Sequence, residues 1–166
     1  GIRGYDINTL YEAILKNTDT VGPVSSVGRL GAGYYNKLGY VPYNVGINEN
    51  AARTLEYAYA DFCIWQLAKE LGKHQDYDML MQLSKGWEKI FHPDRKMMWP
   101  KLENGEFYEE FDATEPHNGF QEGNALQYSF YVPHEPESIV ARIGKEEFNT
   151  RLDSTFLISQ KDIFSG

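Results

Sequence analysis

The stretch GFQEGNALQYSFYVPHEPE, residues 119–137, sets one carboxyl group, Glu122, between Gln121 and Gly123, just ahead of an aromatic run that stops at Pro133. A carboxyl group placed there has two uses. If the rings of Phe120, Tyr128 and Phe130 strip water from it, its protonated form is favoured and it becomes a proton donor, with Gly123 allowing close backbone approach. If it only precedes a helix over 124–132, its charge faces unpaired N–H groups and is favourable by about 0.3–1 kcal/mol. Glu49, at the start of a helix over 51–71, has the same charge–helix explanation, with contact to substrate or support of the site as its functional alternative. Glu56 and Asp61 fall inside that helix, where a charge needs a partner such as Arg53, so structural pairing is the expected role.

Other candidates are aromatic or polar. Trp99 stands in a loop, off any helical stripe, so its indole can stack on a sugar ring or fill a core or interdomain contact. Asn124 and Gln127 can hydrogen-bond sugar hydroxyls, and both are also ordinary helix-start residues. His134, between Pro133 and Glu135, is a candidate ligand or acid–base group, with a satisfied turn histidine as the structural alternative. Cys63 is the single cysteine of the chain; an internal disulfide and a multi-thiolate metal cluster are thereby excluded, and a small buried hydrophobe is expected. A net charge of −8 carries no footprint for nucleic acid or an anionic membrane, since both need clustered Lys and Arg. No apolar run approaches the roughly 20 residues that span a bilayer.

These side chains must be held by something, and 166 residues with 42% hydrophobic content suffice for one domain. Asp6 reads as the N-cap of a helix over 6–16. Residues 18–50 hold six glycines and two prolines and read as a long irregular loop. The helix over 51–71 carries apolar residues on most sides and stops at Gly72, and a second, over 76–91, has a polar face and stops before Pro93. A loop over 94–122 follows, then helices at 124–132, 137–143 and 146–157. The fold class is all-α, helical hairpins joined by long loops in a single domain. One helix buried nearly all round beside one with a solvated face suits the inner and outer rings of a helical toroid. In that geometry loops 40–50 and 94–123 meet on one face and bring together Glu49, Glu122, Asn48, Trp99, Phe120 and Asn124.

Four segments, KLGYVP (37–42), NENAARTLEYAYADFCIWQLAKELGK (48–73), FHPDRKMMWPK (91–101) and EGNALQYSFYVPHE (122–135), resemble glycoside hydrolase family 92, the calcium-dependent exo-acting α-mannosidases. EGNALQYSFYVPH together with RTLEYAYAD at this separation is the specific part of the match. The resemblance implies part of an (α/α)6 catalytic domain that packs on a β-sandwich and hydrolyses terminal α-mannosides, such as α-1,2-mannose of N-glycans or mannans, with inversion. It implies Glu122 as general acid, substrate contacts from Trp99, Asn124, Glu49 and His134, and Ca2+ as cofactor with ligands that the sequence does not identify. The general base is expected beyond Gly166, so the partner of this piece would be the remainder of the same enzyme, outside the cytoplasm in an extracellular or periplasmic setting. Two departures stand out: Leu126 where the family usually has Trp, and Glu135 where it has Asp. The rival readings are a non-catalytic carbohydrate-binding or scaffolding domain and another (α/α)6 glycosidase.

Overall fold

The computed structural model describes residues 4–19 and 28–159. Helices α1 (Ile7–Asp19), α2 (Ala32–Leu38), α3 (Asn50–Glu70), α4 (His74–Leu83) and α5 (Gly86–Ile90) are followed by a hairpin of two-residue strands, β1 (Phe91–His92) and β2 (Met97–Met98), then α6 (Ala125–Tyr128), α7 (Pro136–Ile143) and α8 (Lys145–Ser159). The all-α expectation holds. Asp6 caps α1 as expected, its Oδ1 accepting from the Asn8 and Thr9 amides at 2.9 and 3.2 Å.

The central element is α3, against which α1, α4 and α5 pack. Ala51, Ala52, Leu55, Ala58, Ile64 and Ala68 form its buried side, and the alanines there leave room for close helix approach. Gly72, at φ +66°, takes the left-handed position just past the C-terminus. The expectation that α3 is buried on most sides needs correcting. Glu56, Tyr59, Cys63, Gln66 and Glu70 form an exposed stripe, because no described element covers that face. Cys63 is accordingly exposed instead of buried.

Buried charge on α3 is confined to Asp61, which is fully buried. Its partner is Arg29, at 2.7 Å, and not Arg53, because Arg53 lies two turns away and turns toward the helix start. The Tyr35 hydroxyl donates to Asp61 Oδ2 at 3.0 Å and lies 2.7 Å from the Leu83 carbonyl oxygen. Burial raises the Asp61 pKa, while Arg29 and Tyr35 pull it back down.

Three further expectations change. Within 28–50 the chain is not irregular throughout: α2 forms between Gly31 (φ +83°) and Gly39 (φ +81°), so those glycines stop a helix at both ends, and a 3-10 turn follows at Tyr43–Val45. Residues 20–27 of the expected loop lie outside the described residues. The helix over 76–91 breaks into α4 and α5. At Gly86 a Cβ would stand 2.6 Å from the Gly39 carbonyl oxygen; the break seats this residue against that turn and sends Trp87 into the core, where its indole N–H donates to Glu135 at 2.8 Å. Of the helix expected over 124–132 only Ala125–Tyr128 is helical.

The main core joins Leu55, Trp87, Ile90 and Met98 with Phe111, Phe120, Val132 and Ile139, so Trp99, Phe111 and Phe120 anchor the loop over 99–123 to the helices. At the far end α8 is tied to the hairpin turn: Lys96 Nζ meets Glu147 at 2.6 Å and the Ile143 carbonyl at 2.9 Å, and Arg151 donates to the Lys96 carbonyl.

Candidate active site

The motif Glu122-Gly123-Asn124-x-x-Gln127 is a cassette that displays its first residue. Asn124 is the N-cap of α6, its Oδ1 accepting from the Leu126 and Gln127 amides at 3.1 and 3.4 Å, while Gln127 Oε1 accepts from the Asn124 amide at 3.1 Å. Each side chain satisfies the other's orphan N–H. This reciprocal box leaves no room beneath residue 123, where a Cβ would meet Gln127 Oε1 at 2.6 Å. Gly123 is therefore required by the cap. The Tyr128 hydroxyl donates to the Gln121 carbonyl at 2.8 Å, and the His117 amide donates to the Gly123 carbonyl at 3.0 Å. Held from both sides, Glu122 adopts φ +48°, left-handed backbone that costs a branched-free but non-glycine residue on the order of 1 kcal/mol.

Glu49 is built the same way. It stands at the N-cap of α3 with φ +58°, yet its side chain does not cap the helix. The first amides of α3 are satisfied from the other loop instead: the Ala51 and Ala52 N–H groups both donate to the Gly119 carbonyl at 3.0 Å. Loops 40–50 and 94–123 thus meet at the start of α3, as expected. Freed from capping, the Glu49 carboxylate accepts from Arg53 at 2.8 Å, and the Gln121 amide, turned with its NH2 toward Glu49, donates to it as well.

Glu56, two turns along α3 from Glu49, completes the group. It was expected to be buried and structurally paired; it is exposed, on the uncovered stripe of α3. Burial raises the Tyr128 phenol, and the carboxylates of Glu56, Glu122 and Glu49 raise it further. Burial first, then the charge and hydrogen bond of Glu56, pushes Tyr131 up to about 12. The Tyr131 phenol donates a hydrogen bond to Glu56, and Glu56, Glu122 and Glu49 all lie near enough to Tyr128 for their charge to act on it. The sequence reading has Tyr128 only as a ring beside Glu122 and does not include Tyr131; the available signal is the spacing of Glu49, Arg53 and Glu56, which puts all three on one side of α3.

The desolvation expected around Glu122 does not come from these residues. Its side chain is exposed, because Phe120 turns inward between Phe111 and Tyr128 and Phe130 turns away onto Phe148. Trp99 is only 3% exposed; its indole N–H donates to the Tyr108 carbonyl at 2.8 Å and its ring meets Phe111 edge-on at 4.7 Å. It occupies the core position that was its alternative. Asn124 is buried with its side chain spent on the cap and on the Thr114 carbonyl. His134 bonds the Ser84 carbonyl at 2.8 Å through Nε2 and its ring lies against those of Tyr59 and Phe62, while its buried Nδ1 has no partner among the described residues, so it is not the fully satisfied turn histidine of the structural alternative. Among the described residues no three His, Cys, Asp or Glu side chains converge closely enough to hold a metal ion, so these residues by themselves do not fit a calcium site.

The helical layer thus carries Glu49 and Glu122 on left-handed backbone at the starts of α3 and α6. The chain belongs to glycosyl hydrolase family 92: the model of that family's catalytic domain matches residues 1–164. A family GH92 inverting mannosidase of Bacteroides thetaiotaomicron superposes with a TM-score of 0.85 at 39% identity, over 93% of this chain and 21% of its own. A family GH92 α-mannosidase of the same organism, solved in complex with mannoimidazole, superposes with a TM-score of 0.84 at 29% identity, over 94% and 21%. An uncharacterized secreted glycosidase of Arthroderma benhamiae is 27% identical over 89% of this chain and 23% of its own length. The chain thus spans about a fifth of the length of these relatives.

Proposed function

We propose that this chain is the portion of a longer α-mannosidase that carries the general acid, Glu122. The observation behind the reading is the pairing of Glu122 with Glu49: two carboxylates on left-handed backbone, neither used to cap the helix that follows. Strain retained at a position where glycine or asparagine would sit comfortably points to a role for the side chain itself.

Inverting hydrolysis of a glycoside needs a carboxylic acid at the leaving oxygen and a carboxylate that activates water from the opposite face, about 6.5–9.5 Å away. Glu122 gives its proton to the departing sugar oxygen. Glu49 and Glu56, with the Tyr128 and Tyr131 hydroxyls, accept from and donate to hydroxyls of the glycan, and Arg53 and Gln121 fix the Glu49 carboxylate for that contact. The base lies in polypeptide beyond these residues, and so do the calcium ligands. The substrate class is a terminal α-mannoside of a mannose-containing glycan, encountered extracellularly or in a periplasm. No helix among the described residues is long and apolar enough to cross a membrane.

The test is hydrolysis of α-1,2-mannobiose by the full-length protein, followed by NMR. β-Mannose as the first anomer released, with activity lost to a chelator and restored by calcium, is expected; α-mannose as first product, or no hydrolysis under either condition, contradicts the reading.

A further inference from the structure

An open groove lined by residues of the segment 92–113 is left unused by the chemistry above. It consists of two adjoining hollows, about 840 and 590 Å3, which share Arg95, Trp99, Glu109 and Glu110. The Arg95 guanidinium carbon stands over the Trp99 indole, 4.4 Å from its centroid, and among the described residues its N–H groups have no hydrogen-bond acceptor and no carboxylate partner. The stack fixes the fork and leaves its edges free. His92 stacks on Phe107, ring centroids 4.4 Å apart, and its Nδ1 accepts from the Arg95 amide at 3.4 Å, which puts the ring proton on Nε2. Burial and the nearby Arg95 charge lower the His92 pKa and keep it a neutral donor. Glu109 and Glu110, both exposed, supply acceptors.

Each simple ligand class fails here except one. An anion meets the glutamates of the lining, and a metal ion meets Arg95 where a cluster of ligands should be. An apolar ligand would desolvate charged groups on every side. A neutral polyhydroxy ligand is matched by guanidinium and imidazole donors beside carboxylate acceptors, and a groove of two linked hollows suits a chain of sugars over a single one. The groove and the Glu122 loop are also mechanically joined: Trp99, Phe111, Phe120 and Tyr128 form one row of rings with centroids 4.7, 6.1 and 5.0 Å apart.

We propose that the Arg95–Trp99 groove is a second, non-catalytic glycan-binding site that holds a length of neutral oligosaccharide, its identity as mannan resting on the function proposed above.

The test uses the full-length protein bearing Glu122→Gln, so that bound glycan is kept intact, in native gels containing soluble α-mannan. Retardation by mannan is expected, and adding Arg95→Ala and Phe107→Ala should weaken the apparent affinity about tenfold, some 1.4 kcal/mol. Glu109→Gln with Glu110→Gln, which alters only exposed side chains, should weaken it about threefold, and Arg142→Ala, on a different surface above Trp87, should leave it unchanged. A parent that mannan does not retard, groove variants that migrate like the parent, or an equal loss with Arg142→Ala overturns the proposal. Failure of the mannosidase reading would appear separately, as wild-type protein that releases no mannose from mannobiose.

Discussion

Helix α3 carries acidic residues in two settings that behave oppositely. In its middle, Asp61 is fully buried on ordinary helical backbone and is met by Arg29 and Tyr35. At its start, Glu49 and, across the loop junction, Glu122 are solvent-accessible, sit on left-handed backbone and cap nothing. Asp61 sacrifices hydration to anchor the segment around Arg29. The two glutamates take left-handed backbone instead, Glu49 with its carboxylate held by Arg53 and Gln121 and Glu122 with its side chain exposed. Left-handed backbone alone does not mark chemistry on this molecule, since Lys96 shares it and serves the fold by tying α8 to the hairpin turn.

The comparison breaks most visibly at Arg29. Arg29→Leu leaves Asp61 buried without its cation and should lower unfolding free energy by about 3–5 kcal/mol in denaturant titrations of the full-length protein, while Arg29→Leu with Asp61→Leu should recover most of the loss. The sign of the pH dependence follows from the raised Asp61 pKa. A group that holds its proton more tightly when folded stabilises fully below its unfolded value of 3.8 and loses that contribution as pH rises through the folded value. The Arg29→Leu deficit should thus be small at about pH 3.5 and full at about pH 7.

Gly123→Ala attacks the other setting through its support. The added Cβ collides with Gln127 Oε1, opens the capping box and should cost about 1–2 kcal/mol, with turnover falling as Glu122 shifts. Glu122→Asn separates strain from use: asparagine tolerates left-handed backbone, so stability should hold or rise by up to about 1 kcal/mol while activity collapses. The smallest effect is expected at Leu126, which lines an apolar cavity of about 130 Å3 with Met97, Phe130 and Ile143. Leu126→Phe should raise stability by about 0.5–1 kcal/mol, read as a higher thermal midpoint.

Much of this architecture is legible in the sequence where a single local rule acts. Asp6 before α1, Gly72 after α3 and the N-x-x-Q spacing at 124–127 each declare a helix end. The breaks come where tertiary contact decides. Gly86 interrupts a periodic pattern because its neighbour is a carbonyl nearly fifty residues earlier in the chain, and Gly31 and Gly39 read as loop although they bracket a helix. At the site, Glu122 and Glu49 are visible as acids beside helix starts, and their meeting follows from the helical hairpin. Arg29 as the partner of Asp61, the inward turn of Trp99 and the phenols of Tyr128 and Tyr131 depend on how loops pack, which no periodicity records. Cys63 is exposed because it shares its stripe with Glu56, Gln66 and Glu70; Tyr59 beside it suggests a second apolar face that the rest of the stripe does not continue.

The role of Glu122 is tested most directly by leaving-group dependence. In the full-length protein, Glu122→Gln should lower kcat/KM on α-1,2-mannobiose by about 10²–10⁴, while a 2,4-dinitrophenyl α-mannoside, whose leaving group needs no proton, loses about tenfold or less. An equal and modest loss on both substrates would show that Glu122 donates no proton in the reaction.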